Sequence, residues 1–305
     1  MDIKRSSKIP LIMLMMISLA GCASLGGVVT PTWPIPEGIK IVEVNGYPMA
    51  YQEAGSGTPL LLLHSHPADY RSWDTQIPEF SKSYRTIAVA LRHYYPEKWD
   101  GVGTDFTIAQ HASDIIAMIK KLNLGKVHLL GNSRGGTIAV TVATLQPEVI
   151  RSLILDEPNV IPLIRDTPEG QKWMTDQKAI GEKIRASLAA GGREKAAQDF
   201  MASFGVAWEK VPPRIQGMII DNIGVCTESG DRGKFSCADI QKFNFPILLI
   251  AGEKSPKLYG QMLDALRRCK SDIPAPITVK GVHPNMHRQD TAAFNKAVLE
   301  FLSKH

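Results

Sequence analysis

The 305-residue chain has only four cysteines, Cys22, Cys226, Cys237 and Cys269, too few for a scaffold built on disulfides. No Cys/His spacing has the form of a zinc site, so no metal is implied. No Lys/Arg-rich run lies outside the first residues, and Lys4, Arg5 and Lys8 supply part of the formal net charge of +5. Nucleic-acid binding, which needs a concentrated basic surface, therefore has no support. The chain also lacks an apolar run long enough to span a bilayer comfortably, and it has no internal repeat or low-complexity tract. What it does have is the composition of an ordinary globular protein, 44% hydrophobic and 21% charged. A chain of this length can bury a sizeable core as one large domain or as a domain with an inserted subdomain.

The first residues have the layout of an export signal. Positive charges precede an apolar run from Ile9 to Ala20, and small residues and a cysteine follow. The string Leu19-Ala20-Gly21-Cys22 resembles the bacterial lipobox. That resemblance implies a signal peptide over residues 1–21, cleavage before Cys22 and lipidation of its thiol. An ordinary secretory signal and a retained membrane anchor are the alternatives. Several acyl chains would hold the protein at a membrane stably, since each buried CH₂ contributes about 0.8 kcal/mol. Ala23 differs from the Asp that typifies inner-membrane retention, which implies the periplasmic face of the outer membrane. Residues 22–38, with Pro31, Pro34, Pro36, Gly26 and Gly27, read as the lipidated cysteine and an extended tether. The periplasm permits disulfides. Cys226 and Cys237 flank a polar loop, so two readings stand: a Cys226–Cys237 bridge with Cys269 free, or three unpaired thiols.

Beyond the tether, strand and helix patterns alternate. Ile39 to Asn45 and Met49 to Glu53 form strand patterns around a Gly46-Tyr47-Pro48 turn. Leu60 to Leu63 is a continuous apolar run, as expected for a strand buried on both faces. Further strand patterns lie at Arg85–Leu91, Val127–Leu130, Leu153–Leu155, Ile247–Ile250 and Ile277–Lys280. Helical patterns lie at Trp73–Phe80, Ile108–Leu122, Gly136–Leu145, Leu258–Arg268 and Ala292–Leu302. The alternation predicts a mainly parallel sheet with helices on both faces. It stops over residues 159–243, which read as an inserted helical cap. The core is then residues 39–158 and 244–305.

Gly131-Asn132-Ser133-Arg134-Gly135 stands where the strand pattern at Val127–Leu130 ends and the next helix begins. A Gly-x-Ser-x-Gly string is weak alone; its place between a buried strand and a helix gives it force. Serine there sits on a sharp turn, and the flanking glycines remove side chains that would collide with neighbouring elements. The following helix aims its N-terminal N–H groups at the site, favouring a developing oxyanion.

From this motif the chain resembles the α/β-hydrolase family, from about Ile39 to the C-terminus. The strings Leu62-Leu63-His64-Ser65-His66-Pro67, Leu91-Arg92-His93-Tyr94-Tyr95-Pro96 and Ala251-Gly252-Glu253-Lys254-Ser255-Pro256 are similar to those of cap-bearing members. The resemblance implies an α/β fold with an eight-stranded, mainly parallel sheet. It implies Ser133 as nucleophile and the backbone N–H groups of His66 and Arg134 as an oxyanion hole. Ser65 departs from the family's glycine. The base follows the last strand: His283 is favoured, His287 is the alternative, and the spacing from His283 to Phe294 is one residue longer than expected. Ser255 stands where many members carry the acid. The end of the sixth strand, Asp156-Glu157-Pro158, offers it instead; alignment favours Glu157, with Asp156 as the alternative.

Serine rather than aspartate at the turn argues against epoxide-hydrolase and haloalkane-dehalogenase chemistry, in which related proteins attack with a carboxylate. The expected function is hydrolysis of a small or medium carboxylic ester through an acyl-enzyme. Hydrolysis of a C–C bond, peracid formation and a non-catalytic binding lipoprotein are the alternatives. No cofactor is required. The expected partners are a small-molecule ester and, through the lipid, a membrane; no oligomeric state is implied. Asp69 and Arg92 are read either as bordering the pocket or as an ion pair that fixes two loops. Trp173, Met174, Phe200, Met201, Phe204 and Trp208 are read either as an acyl pocket or as packing of the cap.

Overall fold

A computed structural model describes residues 30–227 and 231–305. The signal peptide, Cys22 and the start of the tether lie outside the described residues. The strands are β1 (Lys40–Val44), β2 (Tyr47–Ala54), β3 (Pro59–Leu63), β4 (Arg85–Val89), β5 (Val127–Asn132), β6 (Ile150–Asp156), β7 (Ile247–Gly252) and β8 (Ile277–Val279). They form one sheet in the order β1-β2-β4-β3-β5-β6-β7-β8. The β1–β2 and β2–β4 pairs are antiparallel and the others parallel. The β1–β2 turn is made by Asn45 and Gly46, both at positive φ, the conformation a tight hairpin demands.

The unbroken apolar strands follow from a sheet covered on both sides. Side chains alternate across a strand, so Leu60 and Leu62 join Trp73, Phe80, Phe294 and Val298 beneath one face. Leu61 and Leu63 join Ile115, Ile138 and Ala139 on the other. The same alternation splits β6, with Ile154 on the first face and Leu153 and Leu155 on the second. The Trp73–Phe80 helix expected from sequence is instead two short turns, Tyr70–Trp73 and Ile77–Phe80. The Asp69 carboxylate caps the first by accepting from Arg71 N.

Between β6 and β7 the described residues contain helices and irregular segments but no strand. Pro168–Ser203 is two helices meeting at a kink, where Gly192 takes φ 75°. Pro213–Asn222 packs beside it.

The expected Cys226–Cys237 bridge is not formed. Cys237 bonds Cys269, with their Cα atoms 4.7 Å apart, and Cys226 is a buried free thiol. The partners sit on short helix Cys237–Ile240 and at the end of helix Lys257–Cys269, which pack together. Sequence proximity favoured the nearer thiol, whereas packing of the two helices selects the distant one. Closing a separation of 32 residues restricts the unfolded chain by about 3–4 kcal/mol. No described helix is long and apolar enough to cross a membrane.

Candidate active site

Ser133 occupies the turn between β5 and helix Arg134–Leu145 with φ 48° and ψ −112°, a strained geometry for a side-chain-bearing residue. Close packing holds it there. A Cβ on Gly131 would strike the Gly135 carbonyl, and one on Gly135 would strike the Leu63 and His64 carbonyls of the neighbouring strand. The turn is also tied to the end of β6: Ser133 N donates to Asp156 O at 3.0 Å, and Asn159 N donates to Ser133 O at 3.0 Å.

Asp156 is the last residue of β6 and pairs in register with Asn132, beside the serine. Strand alternation sends its side chain to the face of Ile154, Trp73 and Phe294, which is the face where the chain returns after β8. There Asp156 Oδ2 meets His287 Nδ1 at 3.1 Å, and both side chains are almost wholly buried. A proton on Nδ1 donates to that carboxylate. This leaves His287 Nε2 buried and without a hydrogen-bond partner. The ring lies against Trp73 with centroids 4.5 Å apart and planes tilted by 32°, and Gln76 Nε2 donates to the His287 carbonyl at 2.7 Å.

The structure thus brings together the two alternatives, Asp156 and His287, in place of the favoured Glu157 and His283. His283 is exposed on the loop after β8; its N–H donates to Gln289 Oε1 at 3.1 Å. Asn285 takes φ 71° and turns the chain into the short helix Met286–Gln289, which buries Met286 and presents His287 inward. The long spacing from His283 to Phe294 was the available clue.

Glu157 lies one residue beyond the strand at φ 43° and points the other way. Its Oε1 accepts from Gly252 N at 2.9 Å. Burial is the main cause that pushes its carboxyl up to about 7, and the neighbouring Asp156 adds to it. Glu157 thus ties β6 to β7 and makes no contact with either histidine.

His66, Ser133 and Arg134 line one small cavity of about 110 Å³, together with Trp173, Phe200 and Tyr259. The two residues expected to supply the oxyanion donors therefore line the same cavity as the serine. Arg134 is the first residue of its helix, where N–H groups have no intrahelical acceptor. The β3 loop that carries His66 is pinned by His64, whose Nδ1–H donates to Ser65 O at 2.9 Å. His64 Nε2 accepts from Leu91 N at 3.2 Å. Burial lowers the His64 pKa to about 4, which keeps the ring in the neutral form that this pair of bonds needs. His66 bonds Tyr94 Oη through Nδ1 at 3.0 Å, and burial also lowers its pKa.

The expected Arg92–Asp69 pair is absent. Arg92 is forked onto buried Asp114 at 2.8 and 2.9 Å, and Asp69 binds Arg71 and Asn222. Asp69 and Asp114 are both buried, and each carboxylate is taken up by its own guanidinium, Arg71 and Arg92. Among the cap residues, Trp173, Phe200 and Phe204 line the cavity, whereas Met174, Met201 and Trp208 pack against the core.

A family model described as alpha/beta hydrolase fold matches residues 58–203. The soluble epoxide hydrolase of Corynebacterium sp. (strain C12) is 31% identical over 118 residues, 37% of this chain and 38% of that protein. The 2-hydroxy-6-oxo-6-(2'-aminophenyl)hexa-2,4-dienoic acid hydrolase of Metapseudomonas resinovorans is 31% identical over 120 residues, 38% of this chain and 41% of its own. The chain thus spans about two fifths of the length of these curated relatives. Among solved structures, a thermophilic esterase from Thermogutta terrifontis superimposes with a TM-score of 0.68 at 21% identity. That match covers 87% of this chain and 97% of the esterase, and it shows a shared fold.

Proposed function

We propose that this chain, which has the α/β-hydrolase fold, hydrolyses a small carboxylic ester through an acyl-enzyme on Ser133. The observation that carries the reading is the buried Asp156–His287 pair with Nε2 unpartnered, placed on the strand beside the serine's turn. In this reading His287 Nε2 takes the Ser133 proton as Oγ attacks the carbonyl carbon. Asp156 holds the ring's tautomer and stabilises the imidazolium that forms. The N–H groups of His66 and Arg134 receive the oxyanion, each such donor being worth about 3–4 kcal/mol in the transition state. The imidazolium then returns its proton to the leaving alcohol. Water, deprotonated by the same histidine, releases the acid.

Several relatives are named epoxide hydrolases. A serine at the turn, in place of the carboxylate that opens an epoxide, favours acyl transfer. Cleavage of a C–C bond, as the Metapseudomonas resinovorans relative's name implies for that protein, uses the same groups and is the second reading.

A fluorophosphonate probe tests the nucleophile. Wild type labels at Ser133 and Ser133→Ala does not; a folded wild type that never labels would mean a binding protein instead. We also hold the lipid anchor on Cys22, and with it the periplasmic face of the outer membrane, as a proposal. Cys22→Ser then moves the protein from the membrane to the soluble fraction, and unchanged membrane association would refute lipidation.

A further inference from the structure

The neighbours of the His66 ring settle which of its nitrogens carries the proton. His66 Nδ1 lies 3.0 Å from Tyr94 Oη, so one of the two donates to the other. Tyr94 is 1% exposed, and burial pushes its phenol up, so the oxygen keeps its proton. The same oxygen faces the Arg134 guanidinium, which can only donate to it. The Phe106 ring steadies this group, 4.6 Å from the Arg134 guanidinium and 5.7 Å from the Tyr94 ring. With Arg134 donating, the phenol O–H needs an acceptor, and His66 Nδ1 is the one in reach. The neighbouring Cys226 sulfur is only a weak acceptor. The reverse bond, from an Nδ1 proton to Tyr94 Oη, would leave a buried phenol O–H unpaired, which folded chains avoid.

With Nδ1 accepting, the neutral ring holds its proton on Nε2. Burial and then the charge of Arg134 keep the ring neutral. Nε2 is on the edge turned away from Tyr94. His66 lines the serine's cavity, and no described residue bonds Nε2. Phe106 and Phe200 pack around the same ring, each with centroids 6.4 Å away, and offer it no acceptor. An N–H held from behind and facing a nucleophile's cavity is preorganised for an acceptor on the ligand. The backbone N–H of the same residue is the one proposed for the oxyanion. The ring N–H is one side-chain length away, so its acceptor lies a few bonds from the reacting carbonyl.

Resting on the hydrolase reading, we propose that the His66 ring touches the substrate, donating from Nε2 to a second acceptor oxygen near the reacting carbonyl. The substrate is then a small ester with a keto, ether or similar oxygen in its acyl part. An ester with only hydrocarbon there leaves the ring N–H unpaired and is disfavoured, as polar sites reject partners that cannot complete them.

The probes are methyl 3-methoxypropanoate and methyl pentanoate, of equal chain length, in which a CH₂ replaces the ether oxygen. Wild type is expected to favour the ether ester in kcat/KM by about tenfold. His66→Phe brings that ratio close to one, whatever it does to the absolute rate. His66→Gln, whose amide carries an N–H to a similar point, keeps most of it. A wild-type ratio near one, or one that His66→Phe leaves unmoved, overturns the proposal. Nitrogen-15 NMR of the imidazole reads the tautomer without turnover, with the His66 signals identified by their loss in His66→Gln. A proton on Nε2 is expected, and Tyr94→Phe lets Nδ1 take a share of it. A proton on Nδ1 in wild type overturns the proposal whatever the rates. If wild type hydrolyses neither ester, the spectrum of Ser133→Ala separates the two readings. An Nε2–H signal that moves with the ether ester and not with methyl pentanoate keeps the donor site while the hydrolase reading falls. A signal that answers both alike, or neither, removes the donor site.

Discussion

The serine's turn and the histidine's segment are both tied to the end of β6 but are held in place by different means. Ser133 is positioned by backbone: a strained φ, glycines packed against carbonyls, and main-chain bonds to the end of β6. His287 is positioned by side chains: the Asp156 carboxylate, the Trp73 ring and the Gln76 amide, contributed by three separate segments. The first arrangement tolerates almost no added atom. The second can lose one support at a time, so its failures are graded.

The largest effect separates the paired groups from their neighbours. Asp156→Asn and His287→Ala are each expected to lower ester turnover by about 10⁴. Glu157→Gln and His283→Ala remain within about tenfold of wild type, read as kcat on one ester. Similar losses in all four variants would dissolve the distinction between the buried pair and its neighbours.

Next, an added methyl tests the backbone-held region. Gly135→Ala forces a Cβ against two strand carbonyls and is expected to cost about 3 kcal/mol or more in urea unfolding. Gly217→Ala, on an exposed helix with nothing within 4 Å, raises stability by up to about 1 kcal/mol. Equal effects at the two sites would show that packing does not hold the serine's turn.

Glu157 gives an effect of similar size that depends on pH. Its carboxyl rises from 4.5 to about 7 on folding, so between those values the folded chain binds a proton that the unfolded chain has lost. This contribution is fully present below pH 4.5 and is lost as pH rises through about 7, a change of about 3 kcal/mol. Thermal melts across pH 4–8 should show wild type losing stability relative to Glu157→Gln, whose amide does not titrate. Parallel curves would place Glu157 in a wetter setting than the structure shows.

The smallest effect probes one graded support. Gln76→Ala removes the bond to the His287 carbonyl and is expected to lower kcat about tenfold with little change in KM. A change in KM alone would place Gln76 on the substrate side.

The sheet was legible because both of its faces are buried: runs such as Leu60 to Leu63 read as strands whatever their partners. The serine's turn was legible because glycine, serine and glycine at that spacing encode a local shape. Which carboxylate meets which imidazole was not, since Asp156 and Glu157 are adjacent and of the same chemical kind, and His283 and His287 lie four positions apart. Alternation along β6 separates the first pair, but only once the face that receives the returning chain is known. The disulfide escaped for a similar reason: Cys226 and Cys237 lie only 11 positions apart, yet two packed helices place Cys269 against Cys237.

The sequence alone determined the layered α/β architecture, the interruption by a helical insertion and the serine's position, because each depends on periodicity or on residues close along the chain. Only the tertiary structure decided which carboxylate meets which imidazole, which thiols join, and that Tyr259 shares the serine's cavity. Those pairings rest on distances between segments more than 30 residues apart, which packing of the whole sheet sets.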